Sequence, residues 1–182
     1  MFSNIRADFQ RYLPQQGKPR RLADVLGALL AYGFLATLVY RYGRWARMIR
    51  PRILSLPFKL AYVLLQVLVD ILFGINISTN ADIGPGLHIG HFGGIFLHGN
   101  MGKNCSVAQN VTVGYKGAGK STVPPVIGNN VYLGCGAVVI GAIHVGDDCV
   151  VGANATVVSD IAAGSTVLGP KAQVRPRNAS SA

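Results

Sequence analysis

From Ile77 onward an aliphatic or methionine side chain recurs at every sixth residue. The positions are Ile77, Ile83, Ile89, Ile95, Met101, Val107 and Val113, then Ile127, Leu133, Val139, Val145, Val151, Val157 and Ala163. A period of six matches neither the 3.6 of an α-helix nor the simple alternation of a long strand. Six residues make one short strand and a turn, and three such units make a triangular coil of about 18 residues. Coils of this kind stack into a left-handed parallel β-helix. Glycine most often follows the rung residue, as at Gly84, Gly90, Gly102, Gly128 and Gly146, and is expected to supply backbone freedom at the corners. Four places after each rung comes a small or apolar residue, among them Ala81, Gly93, Cys105, Val111, Val131, Ala137, Cys149 and Ala155. Fourteen units predict four to five coils over about residues 77–168. The step from Val113 to Ile127 holds eight residues too many, which predicts a loop extruded at 114–126.

The chain has 182 residues, room for one ordinary domain or a small domain with an attachment. Half of it is hydrophobic and 13% is charged, which excludes a disordered protein. The net charge of +10 is unevenly divided: residues 1–73 hold 11 Lys/Arg against 3 Asp, and residues 74–182 hold 6 against 4. A boundary near Gly74 follows. It separates a basic, apolar helical region, 1–73, from a β-helix domain, 74–182. The three cysteines have no paired spacing, which argues against a disulfide framework and for a reducing compartment. Cys105 and Cys149 occupy the small inward slot and are read as packing residues.

In the first region, residues 5–13 have the pattern of a short amphipathic helix. Leu22–Tyr40 carries one charge, Asp24, and is long enough to span a membrane. Ile53–Ile75 is a second apolar stretch, with Lys59, Tyr62, Gln66 and Asp70 on one helical stripe. Between them lie Arg41, Arg44, Arg47, Arg50 and Arg52, around Tyr42 and Trp45. A two-span hairpin with an internal β-helix would leave those arginines on the outer side, against the positive-inside rule. Helices lying in the cytosolic leaflet avoid this and put Arg, Trp and Tyr at headgroup level. A true span and a soluble helical cap remain the other two arrangements. Interleaving of basic residues with long apolar runs argues against nucleic acid as the partner. The apolar stretch starts too late and runs too long for a cleavable signal peptide.

Residues 114–121, GYKGAGKS, match the nucleotide-binding pattern G-x4-G-K-[ST]. That pattern needs a helix beginning at its end. Here Thr122, Val123, Pro124 and Pro125 follow, so nucleotide hydrolysis is excluded. His88 and His144 occupy the last place of a hexad and should face outward. His91 lies in a turn before Phe92-Gly93-Gly94, and His98 follows one hexad later. The spacing of His88, His91 and His98 matches no common zinc pattern and lacks a carboxylate, so no metal is expected.

Residues 74–174 resemble the serine acetyltransferase branch of the hexapeptide acyltransferases, especially members that decorate bacterial polysaccharides. GINISTNADIGPGLHIGHFGGIFLHGN resembles that branch's segment around its catalytic histidine. QNVTVGYKGAG resembles its strand and Gly-rich loop, and PVIGNNVYLGCGAVVIG its next coil. The resemblance implies acetyl-CoA as acyl donor, a homotrimer, and His91 as general base. Gly114, Tyr115, Cys135 and Ala153 fall where the family's backbone lines the pantetheine arm. Lys116 and Lys120 of the Gly-rich loop are suited to the coenzyme's phosphates. The family's Asp that orients the histidine is Asn76 here, the histidine after it is Ser78, and a second histidine near the loop's end gives way to Pro124-Pro125. A small zwitterion needs matching charges, so these departures point to a neutral hydroxyl on a membrane-linked glycan, oriented by Asn76, Ser78 and His98, with free serine as the alternative acceptor. A non-catalytic trimeric scaffold is a further alternative. Because a thioester is already activated, transfer to a hydroxyl requires a base and an oxyanion contact but no metal.

Overall fold

The computed structural model describes residues 2–14, 21–117 and 123–173. Four helices come first: α1 (Phe2–Gln10), α2 (Leu22–Leu29), α3 (Tyr32–Met48) and α4 (Leu56–Phe73). Short strands follow, arranged as five coils of a left-handed parallel β-helix. The first coil holds β1 (Ile75–Ile77) and β2 (His88–Ile89). The second holds β3 (Ile95–Leu97), β4 (Asn100–Met101) and β5 (Ser106–Val107), and the third β6 (Thr112–Gly114), β7 (Val126–Ile127) and β8 (Tyr132–Leu133). The fourth holds β9 (Val138–Ile140), β10 (His144–Val145) and β11 (Val150–Val151), and the last β12 (Thr156–Val157) and β13 (Thr166–Val167). Parallel pairing gives three faces. Face A is β1-β3-β6-β9-β12, face B is β4-β7-β10, and face C is β2-β5-β8-β11-β13.

The rung residues fill the interior as the hexad phase requires: Ile77, Ile83, Ile89, Met101, Val107, Val113, Ile127, Leu133, Val139, Val145, Val151 and Val157 are all buried. Cys105 and Cys149 are buried free thiols in the small slot, and Cys105 donates to the Gly128 carbonyl. The phase departs from six at two places. On face A, Ile77 pairs with Leu97 and Leu97 with Val113, so the C-to-A corner after Ile89 is two residues longer than a hexad and the next corner two shorter. Leu97 therefore occupies the rung expected of Ile95, and Ile95 is buried beside it. In the last coil Ile161, not Ala163, bridges to Val145, and Ala163 is exposed.

Left-handed corner conformations are shared between glycines such as Gly86, Gly94 and Gly136 and the polar residues Asn104, Asn110, Asn130, Asp148 and Asn154. Three of these polar residues form a ladder, with Asn104 donating to Asn130 and Asn130 to Asp148 at 2.9 Å. The glycines after the rungs have a different role from the one expected. A Cβ on Gly102 would lie 2.7 Å from the Gly128 carbonyl of the next coil, so close stacking, not φ, excludes a side chain there.

A parallel coil leaves backbone groups unpaired along its first edge, and helix side chains meet them. Tyr40 donates to the Ala81 carbonyl at 2.8 Å and accepts from the Ile83 amide. Asp8, fully buried, accepts from the Gly86 and Leu87 amides and from Arg41. Arg41 also donates to the Ile83 and Gly84 carbonyls, both at 2.6 Å. The Tyr12 hydroxyl accepts from the Ile89 amide at 2.9 Å, and burial pushes its pKa up to about 12, so it stays a neutral phenol. Gly33 lets α3 approach Ile89, where a Cβ would meet the coil's backbone.

This docking revises two expectations. The stretch Leu22–Tyr40 is not one straight span, because α2 and α3 meet at a bend of 56°. The arginine cluster is also largely committed to the coil. Arg41 pairs with Asp8, Arg44 reaches Asp82 and the Ala81 carbonyl, and Arg47 reaches Thr79 and Asn80. Helix α4 packs along α3 with its Tyr62–Gln66–Asp70 stripe toward the coil, and turns Leu60, Leu64, Leu68 and Ile71 to the outside.

Removing one member of the buried pair, Asp8→Ala or Arg41→Ala, is expected to cost about 3–5 kcal/mol in denaturant unfolding. The apolar double variant Asp8→Leu/Arg41→Met should not recover this, because four backbone groups of residues 83–87 lose their partners as well. Gly102→Ala should destabilise by about 1–3 kcal/mol. Gly90→Ala should be tolerated, since its Cβ would meet nothing closer than 3.8 Å.

Candidate active site

The long C-to-A corner of the first coil carries His91. It is braced from outside: the Gly93 amide donates to the Phe73 carbonyl at the end of α4, and Phe92 packs against Tyr32, which also meets Phe73. His91 is exposed, and among the described residues its ring makes no side-chain hydrogen bond. The same corner in later coils carries Cys135 and Ala153, the first half-buried and the second exposed, and Asn154 donates its amide to the Cys135 carbonyl. Three of the residues singled out from the sequence thus form one column along one edge of the prism.

The remaining ones gather on the other edge of face A. Gly114 ends β6, where the loop departs, and its carbonyl accepts from the Gly141 amide at 3.1 Å. Tyr115 is exposed, and Lys116 follows it near Gly141. Lys120 lies outside the described residues. His98 follows Leu97 as Gly114 follows Val113, so the two are neighbours in register, and the His98 amide donates to the Val113 carbonyl.

Asn76 projects from face A at β1, but toward His98 rather than His91. Its Oδ1 is 2.9 Å from His98 Nε2, while its Nδ2 donates to both oxygens of Asp70 at 3.2 and 3.0 Å. Asp70 also accepts from Gln66 at 2.7 Å, and Tyr62 donates to Gln66. The carboxylate missing from the strand is therefore supplied from α4, one hydrogen bond behind Asn76. In the sequence Asp70 shares a helical stripe with Tyr62 and Gln66, with no role attached to it. The i, i+4 spacing was visible; the direction the stripe faces was not. Ser78 is occupied locally, with its hydroxyl accepting from the Asn80 amide at 3.2 Å.

His98 is half-buried and stacks on Phe96 with ring centroids 3.8 Å apart. Burial lowers its pKa, and burial followed by Arg11 and His91 lowers that of His88. His88 was expected at the surface; instead it is half-buried against Tyr12 of the segment after α1. His144 is exposed on face B, as its hexad place requires. Among the described residues no group of three His, Cys, Asp or Glu gathers to hold a metal.

A lowered histidine pKa means that the folded state prefers the neutral ring. The unfolded chain binds more protons around and below about pH 6.5, so stability decreases as pH decreases through that window. The denaturant midpoint should therefore drop as pH falls from about 7.5 to 5.5, and His88→Gln and His98→Gln should each flatten that slope.

Comparisons with known proteins agree with this architecture. Residues 124–159 match the family described as bacterial transferase hexapeptide (six repeats). A serine acetyltransferase of Helicobacter pylori is 42% identical over 111 residues, covering 60% of this chain and 65% of that protein. One of Synechococcus elongatus is 31% identical over 172 residues, covering 93% of this chain and 66% of that protein. The chain thus spans just under two thirds of the length of these relatives. Among solved structures, the serine acetyltransferase of Neisseria gonorrhoeae in complex with serine superposes with a TM-score of 0.72 at 28% identity, covering 95% of this chain and 68% of that one. Together with the five observed coils, these matches show that the chain belongs to the hexapeptide-repeat transferases, in their serine acetyltransferase-like branch.

Proposed function

We propose that the protein is an acetyl-CoA-dependent O-acetyltransferase, active as a homotrimer, with serine as its acceptor. The observation that carries this is the similarity to a serine acetyltransferase along 93% of the chain, helices included. The glycan acceptor expected from the sequence rested on the loss of a carboxylate at Asn76. Asp70 supplies negative charge directly behind that side chain, and the relatives named above are serine acetyltransferases, so the amino acid becomes the better reading.

His91 is the general base. A neutral imidazole takes the proton of the acceptor hydroxyl as its oxygen attacks the thioester carbonyl. The tetrahedral oxyanion then collapses, the C–S bond breaks, and the imidazolium returns the proton to the departing thiolate. Backbone amides of the Gly-rich turns are suited to the oxyanion. Gly114, Tyr115, Cys135 and Ala153 line the pantetheine arm, and the charges of Lys116 and Lys120 suit the phosphates. In one protomer His91, Cys135 and Ala153 lie on one edge of face A and Gly114 and Tyr115 on the other, and side-by-side packing of three prisms would join the His91 edge of one to the loop edge of the next.

One observation favours a membrane-surface location on the cytosolic side. Helix α4 has a mean hydropathy of 1.9 with only 6% of its residues buried, and Leu22, Leu26, Leu29 and Leu30 of the α2 region are also exposed. Each such side chain gains up to about 1.5–3 kcal/mol on burial in lipid, and Arg50 and Arg52 lie at the start of this surface.

His91→Ala should lower acetyl transfer by about 10²–10⁴-fold, measured as thioester cleavage with serine present, while the same change at His144 should have little effect. O-acetylserine should form at millimolar serine. Acetylation of glycans alone would make a glycan hydroxyl the acceptor instead. Full-length protein should sediment with anionic vesicles, and replacing Leu64, Leu68 and Ile71 by Ser should release it.

A further inference from the structure

The hydrogen bonds between α4 and face A have only one consistent set of donors and acceptors. Asp70 accepts from Gln66 Nε2 and from Asn76 Nδ2. A carboxylate that receives only N–H groups holds the Asn76 amide in one orientation, with Oδ1 toward His98. An amide oxygen cannot donate, so His98 must present a proton on Nε2 at 2.9 Å. In the neutral ring the lone pair is then on Nδ1, which has no partner among the described residues. Gln66 is fixed in the same way, its Oε1 accepting from Tyr62. Every donor in the chain Tyr62–Gln66–Asp70–Asn76–His98 is directed toward Asp70.

The place of this ring adds a second observation. Of the four histidines, His98 alone is the register neighbour of Gly114, where the loop assigned to the acyl donor leaves the prism. Phe96 covers one face of the ring, and the side chain is half-exposed on the other.

We infer that His98 Nδ1 is a specificity-determining contact for the acceptor, receiving a hydrogen bond from its second polar group, and that Asp70 is the positioning residue that fixes this lone pair through Asn76. The ligand class is a small hydroxyl compound that carries another N–H or O–H donor. A cationic ammonium fits best, because the Asp70 carboxylate lies behind the ring and its relay. The inference rests on the acetyl-transfer reading for its substrate, but the tautomer itself does not depend on any activity.

Two measurements test it. In ¹⁵N-histidine spectra of the full-length protein, His98 should show the Nε2–H tautomer, with Nδ1 unprotonated near neutral pH. Asp70→Asn frees the Asn76 amide to rotate, and should mix the two tautomers. Asn76→Ala should do the same without altering α4, which keeps the test open if Asp70→Asn folds poorly. A native His98 in the Nδ1–H form, or a spectrum unmoved in both variants, overturns the proposal whatever the enzyme does. In kinetics, His98→Ala and Asp70→Asn should raise KM for serine by roughly 10–100-fold, the usual worth of a hydrogen bond to a charged group, with a smaller fall in kcat and little change in KM for acetyl-CoA. A serine KM unchanged in both, in an enzyme that still depends on His91, overturns the specificity role. Absence of acetyl transfer from the native protein would instead sink the proposed function and leave the tautomer result standing.

Discussion

The buried pair of Asp8 and Arg41 closes the open end of the β-helix. A stacked coil satisfies its backbone on the side where another coil follows, but the first coil has no predecessor. Between them the two side chains meet two amides and two carbonyls of residues 83–87. Such a pair is costly to desolvate and gains little over an apolar substitute when it satisfies only itself. Here it also satisfies backbone groups that no apolar residue can meet. Tyr40 and Tyr12 continue the same edge at Ala81, Ile83 and Ile89. The helical region is therefore the end cap of the solenoid, and the charge that distinguishes it in the sequence is partly spent within that cap.

From this anchoring the orientation of α4 follows. Helix α3 presents Gly33, Ala36, Tyr40 and Gly43 on its buried side, and Gly43 lies against Tyr62 of α4, where a Cβ would clash with the ring. That contact turns the polar stripe of α4 inward, and its leucines have nowhere to go but out. The arrangement inverts the usual amphipathic helix of a globular protein. The same rotation that creates an apolar outer surface also delivers the Asp70 carboxylate to face A. Surface and site are thus two results of one packing decision, and a change at Gly43 should be felt at both.

Much of this was legible in the sequence. The hexad phase identified the interior residue by residue, because a strand of fixed length and a turn of fixed shape leave the rung residue no freedom. It slipped where a corner changed length. Eight residues from Ile89 to Leu97 followed by four to Met101 sum to the twelve of two ordinary steps, so a count by sixes passes over the irregularity and assigns Ile95 by coincidence. The slip from Ile161 to Ala163 has the same origin. The arginines were misread for a different reason. Their spacing of three, Arg41, Arg44 and Arg47, puts them on one helical face, but composition cannot tell a face turned to phosphate from one turned to carbonyl oxygens. The role of Asp70 was not legible because its partner, Asn76, lies beyond a helix end at Gly74, whose left-handed conformation (φ 61°) turns the chain sharply from α4 into the first strand.

The irregular corner also bears on the chemistry. A β-helix built of perfect hexads presents flat faces and even edges, with nothing to distinguish one coil from another as a place for catalysis. The two extra residues after Ile89 lift His91 and Phe92 away from the wall, and the missing two pull His98 close to the point where the loop departs. Phe92 needs a support, and finds it in Tyr32 and Phe73, the start of α3 and the end of α4. The coil that departs most from the repeat is thus the one that the helices grip. Departure from a repeat costs stability in the solenoid itself, since the neighbouring coil no longer templates it, and the cap provides the compensating contacts. On that argument the helical region and the histidine-bearing corner depend on each other, and a β-helix fragment beginning at residue 74 should lose the conformation of this corner before it loses its coils.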